Sequence, residues 1–176
     1  GITSDNLGNL YVADTNNNVI RKIVISLATV TVSTFAGNPI GGNTDGLGTS
    51  ALFNNPNGIT CDANNHIFVT DTLNNCIRQI TPDKQVFTIA GDIANKISGS
   101  SDISPYSFFT PTGIFIRNNT LFICDTRNNT LRVLSRQNTF GRSLLSQKGD
   151  KGDIGLPGIG FQFKGRVNTI SNLPVN

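Results

Sequence analysis

The sequence contains no methionine and no tryptophan, and only one histidine, His66. A cluster of histidine ligands is therefore excluded within this stretch. Charge is sparse: 14% of residues are Asp, Glu, Lys or Arg, and the formal net charge is only +3. The basic residues are scattered rather than massed, so the stripe that tracks a nucleic-acid backbone is missing. No apolar run approaches the roughly 18–20 residues that span a bilayer.

Cysteine is also scarce. Cys61, Cys76 and Cys124 all fall on expected strands. Cys61 and Cys76 belong to the first and third strands of one unit, about 9.5 Å apart at two strand spacings, beyond disulfide reach. Three unpaired, buried thiols are expected. That pattern fits folding in a reducing compartment.

Asn and Gly fill the space left by charge; Asn alone is roughly one residue in eight. Both residues serve turns. Between the turns stand short runs rich in β-branched and aromatic residues: "GITSD", "NLYVAD", "VIRKI" and "VSTFAG", then "GITCD", "HIFVTD", "CIRQI" and "VFTIAG". No run holds a helical apolar period over three turns, and the expected fold class is all-β. With Gly1, Gly58 and Gly113 as equivalent starts, the unit repeats every 55 to 57 residues, and each unit has four strands. Tandem four-stranded units are the sequence form of a β-propeller.

One motif recurs in all three units. It reads Asp14, Thr15, Asn17, Asn18, Arg21; then Asp71, Thr72, Asn74, Asn75, Arg78; then Asp125, Thr126, Asn128, Asn129, Arg132. Each Asp ends a strand and is expected to cap the following turn. The Asn pairs tolerate left-handed backbone, and each Arg, seven residues after its Asp, can reach back across the hairpin. Catalysis needs one asymmetric site, whereas these groups recur in every unit. They read as scaffold, and no catalytic residue is assigned.

These motifs resemble the NHL-repeat family of β-propellers over Gly1 to about Leu145. The resemblance implies NHL-type blades at about 1–57, 58–112 and 113–145, within a ring of roughly six. Three blades cannot close a ring, so further blades before Gly1, or another chain, are expected to complete it; the family's usual six favours the former. The third unit departs from the pattern, lacking the Asp-Gly pair of Asp45 and Gly46.

After the blades, Gly149, Gly152, Gly155 and Gly158 recur at every third residue, which only a collagen-like packing requires. Residues 146–160 are read as a collagen-like segment favouring a homotrimer. Residues 161–176, with Phe161, Phe163, Gly165 and the Leu173-Pro174 pair, resemble the start of a small β-module in phage and giant-virus fibre proteins.

The loop Asn43, Thr44, Asp45, Gly46 is the one candidate ligand loop, with Asp45 a weak candidate for a cation; no metal or cofactor is assigned. His66 stands where the first unit has Asn9, a structural position. The Asn-Asn-Thr triplets at Asn118 and Asn128 match glycosylation acceptors on paper. The expected function is a non-enzymatic structural and interaction protein: a propeller on a trimeric stalk in a surface or virion fibre, binding a protein or glycan. The family resemblance leaves two alternatives open, a metal-dependent lyase-like enzyme completed by other blades, and an RNA-binding domain.

Overall fold

The computed structural model describes residues 1–91, 108–136 and, for the backbone alone, 161–167. Strands β1 (Ile2–Ser4), β2 (Leu10–Asp14), β3 (Val19–Ile25) and β4 (Val30–Gly37) form one antiparallel sheet in chain order. The second sheet contains β5 (Gly46–Leu47), β6 (Pro56–Cys61), β7 (Ile67–Asp71), β8 (Cys76–Ile80) and β9 (Gln85–Ala90), in the order β5-β9-β8-β7-β6. The third contains β10 (Pro111–Arg117), β11 (Thr120–Asp125), β12 (Thr130–Arg136) and β13 (Phe161–Val167), in chain order. The sheets are the three expected blades.

The register repeats with the sequence. Ile2 pairs with Val12, Ile59 with Val69, and Ile114 with Ile123. Because side chains alternate across a strand, this register sends equivalent residues to equivalent faces. Tyr11, Ala13, Ile20 and Phe35 of the first blade pack against Ile59, Ile67, Val69, Ile80 and Val86 of the second, with Phe53 in the same core. The opposite face of the second blade offers Phe68, Ile77 and Ala90 to Leu121, Ile123 and Leu134 of the third, with Phe108. Covered on both faces, β7 and β8 are buried at every residue.

The structure departs from the sequence reading at two edges. The second blade has five strands, not four, because Gly46 and Leu47 pair with Val86 and Gln85 and cover the open edge of β9. An edge strand presents unpaired backbone groups, and a short loop segment satisfies some of them.

The second departure is larger. Phe161–Val167, where the sequence reading starts a C-terminal module, pairs antiparallel with β12, from Arg136 opposite Phe161 to Leu131 opposite Val167. It therefore takes the fourth-strand place expected for residues before 145. Residues 146–160, expected from the sequence to be collagen-like, and Leu173-Pro174 lie outside the described residues.

Candidate functional site: the repeated Asp, Asn and Arg positions

Each motif Asp leads into a one-turn 3-10 segment: Thr15–Asn17, Thr72–Asn74 and Thr126–Asn128. The next Asn closes the turn in the left-handed region, with φ of 55° at Asn18, 53° at Asn75 and 51° at Asn129. Asn accepts that conformation more readily than most residues.

The Asp side chains, however, do not cap the backbone of their own turns, which corrects the sequence expectation. They accept instead from the first Asn of each pair. The Nδ2 of Asn17 donates to Asp14 at 2.9 Å, that of Asn74 to Asp71 at 2.8 Å, and that of Asn128 to Asp125 at 2.8 Å.

The Arg closes the hairpin as an ion pair. Nε of Arg21 lies 3.0 Å from Asp14, Nη1 of Arg78 lies 2.8 Å from Asp71, and Nε of Arg132 lies 2.9 Å from Asp125. The remaining oxygen of two of these carboxylates holds the chain entering the blade. Asp71 accepts from the Asn54 amide and Asp125 from the Phe109 amide, both at 2.7 Å. Phe53 and Phe108 lie under the Arg78 and Arg132 guanidiniums, at 5.0 and 5.5 Å from the ring centres. Such stacking adds a cation–π attraction in a site that water does not enter.

Burial and charge pull against each other here. Burial pushes the Asp71 carboxyl up, while Arg78, the Asn54 amide and the Asn74 side chain favour its charged form. Asp14, more open to solvent, is held below the usual carboxylate range, first by the hydrogen bond from Arg21 and then by that from Asn17.

The candidate ligand loop is tied into the same network. Asp45 accepts from Arg78 Nη2 at 2.7 Å and from the Thr88 amide and hydroxyl at 3.0 Å each. The Thr44 carbonyl accepts from Arg78 and from the Leu52 amide. Asn74 reaches into the neighbouring turn and donates to the Gly42 carbonyl at 2.6 Å. A guanidinium thus stands where Asp45 was offered as a cation ligand, and Gly46 begins β5. Asn43 also has a bonded or electrostatic partner. Among the described residues no group of three or more His, Cys, Asp or Glu could hold a metal ion.

What the sequence did not disclose is how the motif joins one blade to the next. The Asn18 side-chain oxygen accepts from the Asn55 amide at 2.8 Å, and the Asn75 oxygen accepts from the Thr110 amide at 2.8 Å. Asn55 and Thr110 are equivalent entry residues, each before a proline. Thr70 and Thr72 bond the Thr112 and Pro111 carbonyls of the next blade. The recurrence of Asn at the fourth place after each Asp was the available signal, but a local turn explained it equally well.

His66 and Asn9 do equivalent work. His66 Nδ1 lies 3.0 Å from Asp62, and Asn9 donates to Asp5 at 2.8 Å. All three thiols are unpaired, but Cys124 is exposed and Cys61 half-buried, which corrects the expectation of three buried cysteines. Cys124 lies on the face of the third blade that no other described residue range covers. Gly149, Gly152, Gly155 and Gly158 lie outside the described residues, and among those residues no helix is long and apolar enough to cross a membrane.

Comparison with known proteins agrees with the blade arrangement. Residues 53–80 match the NHL repeat family. The chain is 30% identical over 136 residues to NHL repeat-containing protein 2 of Homo sapiens, covering 71% of this chain and 18% of that protein. It is 33% identical over 137 residues to the Gallus gallus protein of the same name, with the same coverage. The chain thus spans less than a fifth of these relatives. An auxiliary nutrient binding protein from Bacteroides thetaiotaomicron VPI-5482 superposes with a TM-score of 0.66 at 24% identity, covering 75% of this chain and 36% of that one. A protein of unknown function from the same organism gives 0.62 at 26% identity, covering 72% and 32%. The chain therefore carries an NHL repeat, at residues 53–80, within β-propeller blades.

Proposed function

We propose that the chain is a non-enzymatic interaction module whose blades hold loops toward a protein or glycan partner. One observation carries this reading: the recurring Asp, Asn and Arg groups are spent on one another and on the neighbouring blade. Asp71 alone accepts from Arg78, Asn74 and Asn54. A buried polar group already satisfied in this way has little left for a substrate.

A glycan array and a binding screen on the purified chain test the reading. Binding to a defined ligand set should be lost on Leu73→Asp, an exposed turn position, with the melting temperature unchanged. Metal-dependent turnover that disappears with Asp45→Asn would overturn it.

The finer reading, a trimeric collagen-like stalk in a surface or virion fibre, draws its support from Gly149, Gly152, Gly155 and Gly158.

A further inference from the structure

Rich as it is in Asn, the sequence contains a single Asn-Gly pair, Asn57 and Gly58. Asparagine is chemically labile, most of all before glycine, where no Cβ shields the following nitrogen. The reaction needs no enzyme. The Gly58 amide loses its proton to water and attacks Asn57 Cγ; a C–N bond forms, the Cγ–Nδ2 bond breaks, and ammonia leaves. Water then opens the cyclic imide at either carbonyl, leaving aspartate or isoaspartate at position 57.

The fold both exposes this pair and restrains it. Asn57 is exposed. The register of β6 on β7 shifts between Pro56 and Ile59, so both residues stand in a bulge, outside the paired positions. One side chain holds the Gly58 amide instead: it donates to Thr70 Oγ1 at 2.7 Å, and that hydroxyl donates to the Thr112 carbonyl of the third blade at 2.8 Å. Thr70 is fully buried, so the nitrogen that must attack points its proton at an enclosed oxygen. The equivalent places elsewhere lack this combination. Thr112 precedes Gly113, while Ala13 and Cys124 stand where the second blade has Thr70.

We infer that Asn57-Gly58 is a self-modification site latched by Thr70: it persists while the second and third blades are docked, and cyclises when they part. Parting takes the Thr112 carbonyl from the Thr70 hydroxyl and frees the Gly58 amide to solvent. Local openings of this kind cost less than global unfolding. The isoaspartyl product does not dock again. It inserts a methylene into a main chain that has no slack: a Cβ on Gly1 would stand 2.6 Å from the Asn57 carbonyl, and one on Gly58 would run into the Thr112 carbonyl. Overfilled contacts destabilise. A transient opening thereby becomes a lasting one.

Peptide mass spectrometry on the whole chain tests this, reading deamidation and isoaspartate at position 57. At neutral pH the folded chain should deamidate there several-fold more slowly than the chain in urea. Thr70→Val keeps the shape and removes the acceptor, and should raise the folded rate several-fold with circular dichroism unchanged. Thr70→Ser keeps the hydroxyl and should hold the parent rate. Val86→Ala, which weakens the core between the first two blades, should leave the rate near the parent's. Equal rates in the folded chain and in urea would overturn the inference, as would a parent-like rate in Thr70→Val. An equal rise in Val86→Ala would overturn it in favour of global unfolding. Gly58 amide exchange in the parent chain, which needs no variant, should be slow; fast exchange would sink the latch. The isoaspartyl fraction, separated by ion exchange, should unfold at lower urea than Asn57→Asp, which adds the charge without the methylene. Equal midpoints would overturn the loss of docking.

Discussion

Arg78 and Asp71 meet at 2.8 Å with neither side chain exposed to solvent. The same pair one blade earlier, Arg21 and Asp14, meets at 3.0 Å with side chains 33% and 29% exposed. The residue types are the same, but cover and company differ: Arg78 also donates to Asp45 and to the Thr44 and Leu52 carbonyls, whereas Arg21 also donates to Thr34. Arg78 lies over the Phe53 ring, on the face that the first blade buries. Arg21 lies on the open face. Removing one partner of a buried pair leaves the other charge without compensation, at about 3–5 kcal/mol; an exposed pair contributes about 0–1 kcal/mol. Arg78→Ala should therefore lower the urea-unfolding free energy by about 3–5 kcal/mol, and Arg21→Ala by under about 1 kcal/mol. Equal losses would show that the first-blade pair is covered in solution.

Gly58 is placed by a close approach of backbone. A Cβ there would run into the Thr112 carbonyl and stand 3.1 Å from both the Ile114 amide nitrogen and the Thr70 hydroxyl. The neighbours are mostly main chain and cannot rotate aside. Gly58→Ala should cost about 1–3 kcal/mol, as overpacking does elsewhere. Gly113→Ala would first meet Cys124 Sγ at 3.0 Å, a side chain that can move, and should cost less. Parallel urea titrations of the two variants compare them directly.

Much of the blade was legible from local pattern. The seven-residue step from Asp to Arg spans one tight hairpin, so the ion pair could be read from spacing alone. The left-handed Asn at 18, 75 and 129 was equally accessible, because backbone preference is a local property. The bond from Arg78 to Asp45, 33 residues away, was not. It depends on the entry loop folding back over β8 and β9. Nor could spacing show that Asn75 reaches the Thr110 amide, since that bond needs two blades stacked at a fixed distance. The placement of Phe161–Val167 beside β12 is the extreme case. Several short apolar segments could have supplied that edge, and the choice between them is made by pairing across the fold.

The three thiols should separate by reactivity. Alkylation requires the thiolate and access to it. Cys124 is exposed. Cys61 is pushed up to about 11, by burial first and then by the Asp62 and Asp5 carboxylates. Burial raises Cys76 well above its ordinary value, and it is fully enclosed. At pH 8, iodoacetamide should label Cys124 first and Cys61 slowly, sparing Cys76 until denaturant is added. The Cys61 rate should climb roughly tenfold per pH unit below its pKa, as the thiolate fraction does. Peptide mass spectrometry reads all three sites, and a Cys61 rate flat between pH 7 and pH 9 on the order of two units would contradict the burial argument.

Thr110 is the one entry residue that sequence similarity would not have chosen. It holds φ at 48°, where its counterpart Asn55 holds 55°. A β-branched residue in that region is strained, whereas Asn is enriched there. The Thr110 hydroxyl is also buried without a hydrogen-bond partner, a loss comparable to leaving any enclosed donor unmet. Both costs should fall in Thr110→Asn, which brings the third blade to the second blade's solution and keeps the amide that bonds Asn75. The variant should gain about 1 kcal/mol in unfolding free energy, the usual return from relieving one such site. Thr110→Val keeps the branching and removes only the hydroxyl, so it should recover part of that gain. If Thr110→Val equals Thr110→Asn in a denaturant titration, the unmet hydroxyl rather than backbone strain is the larger cost.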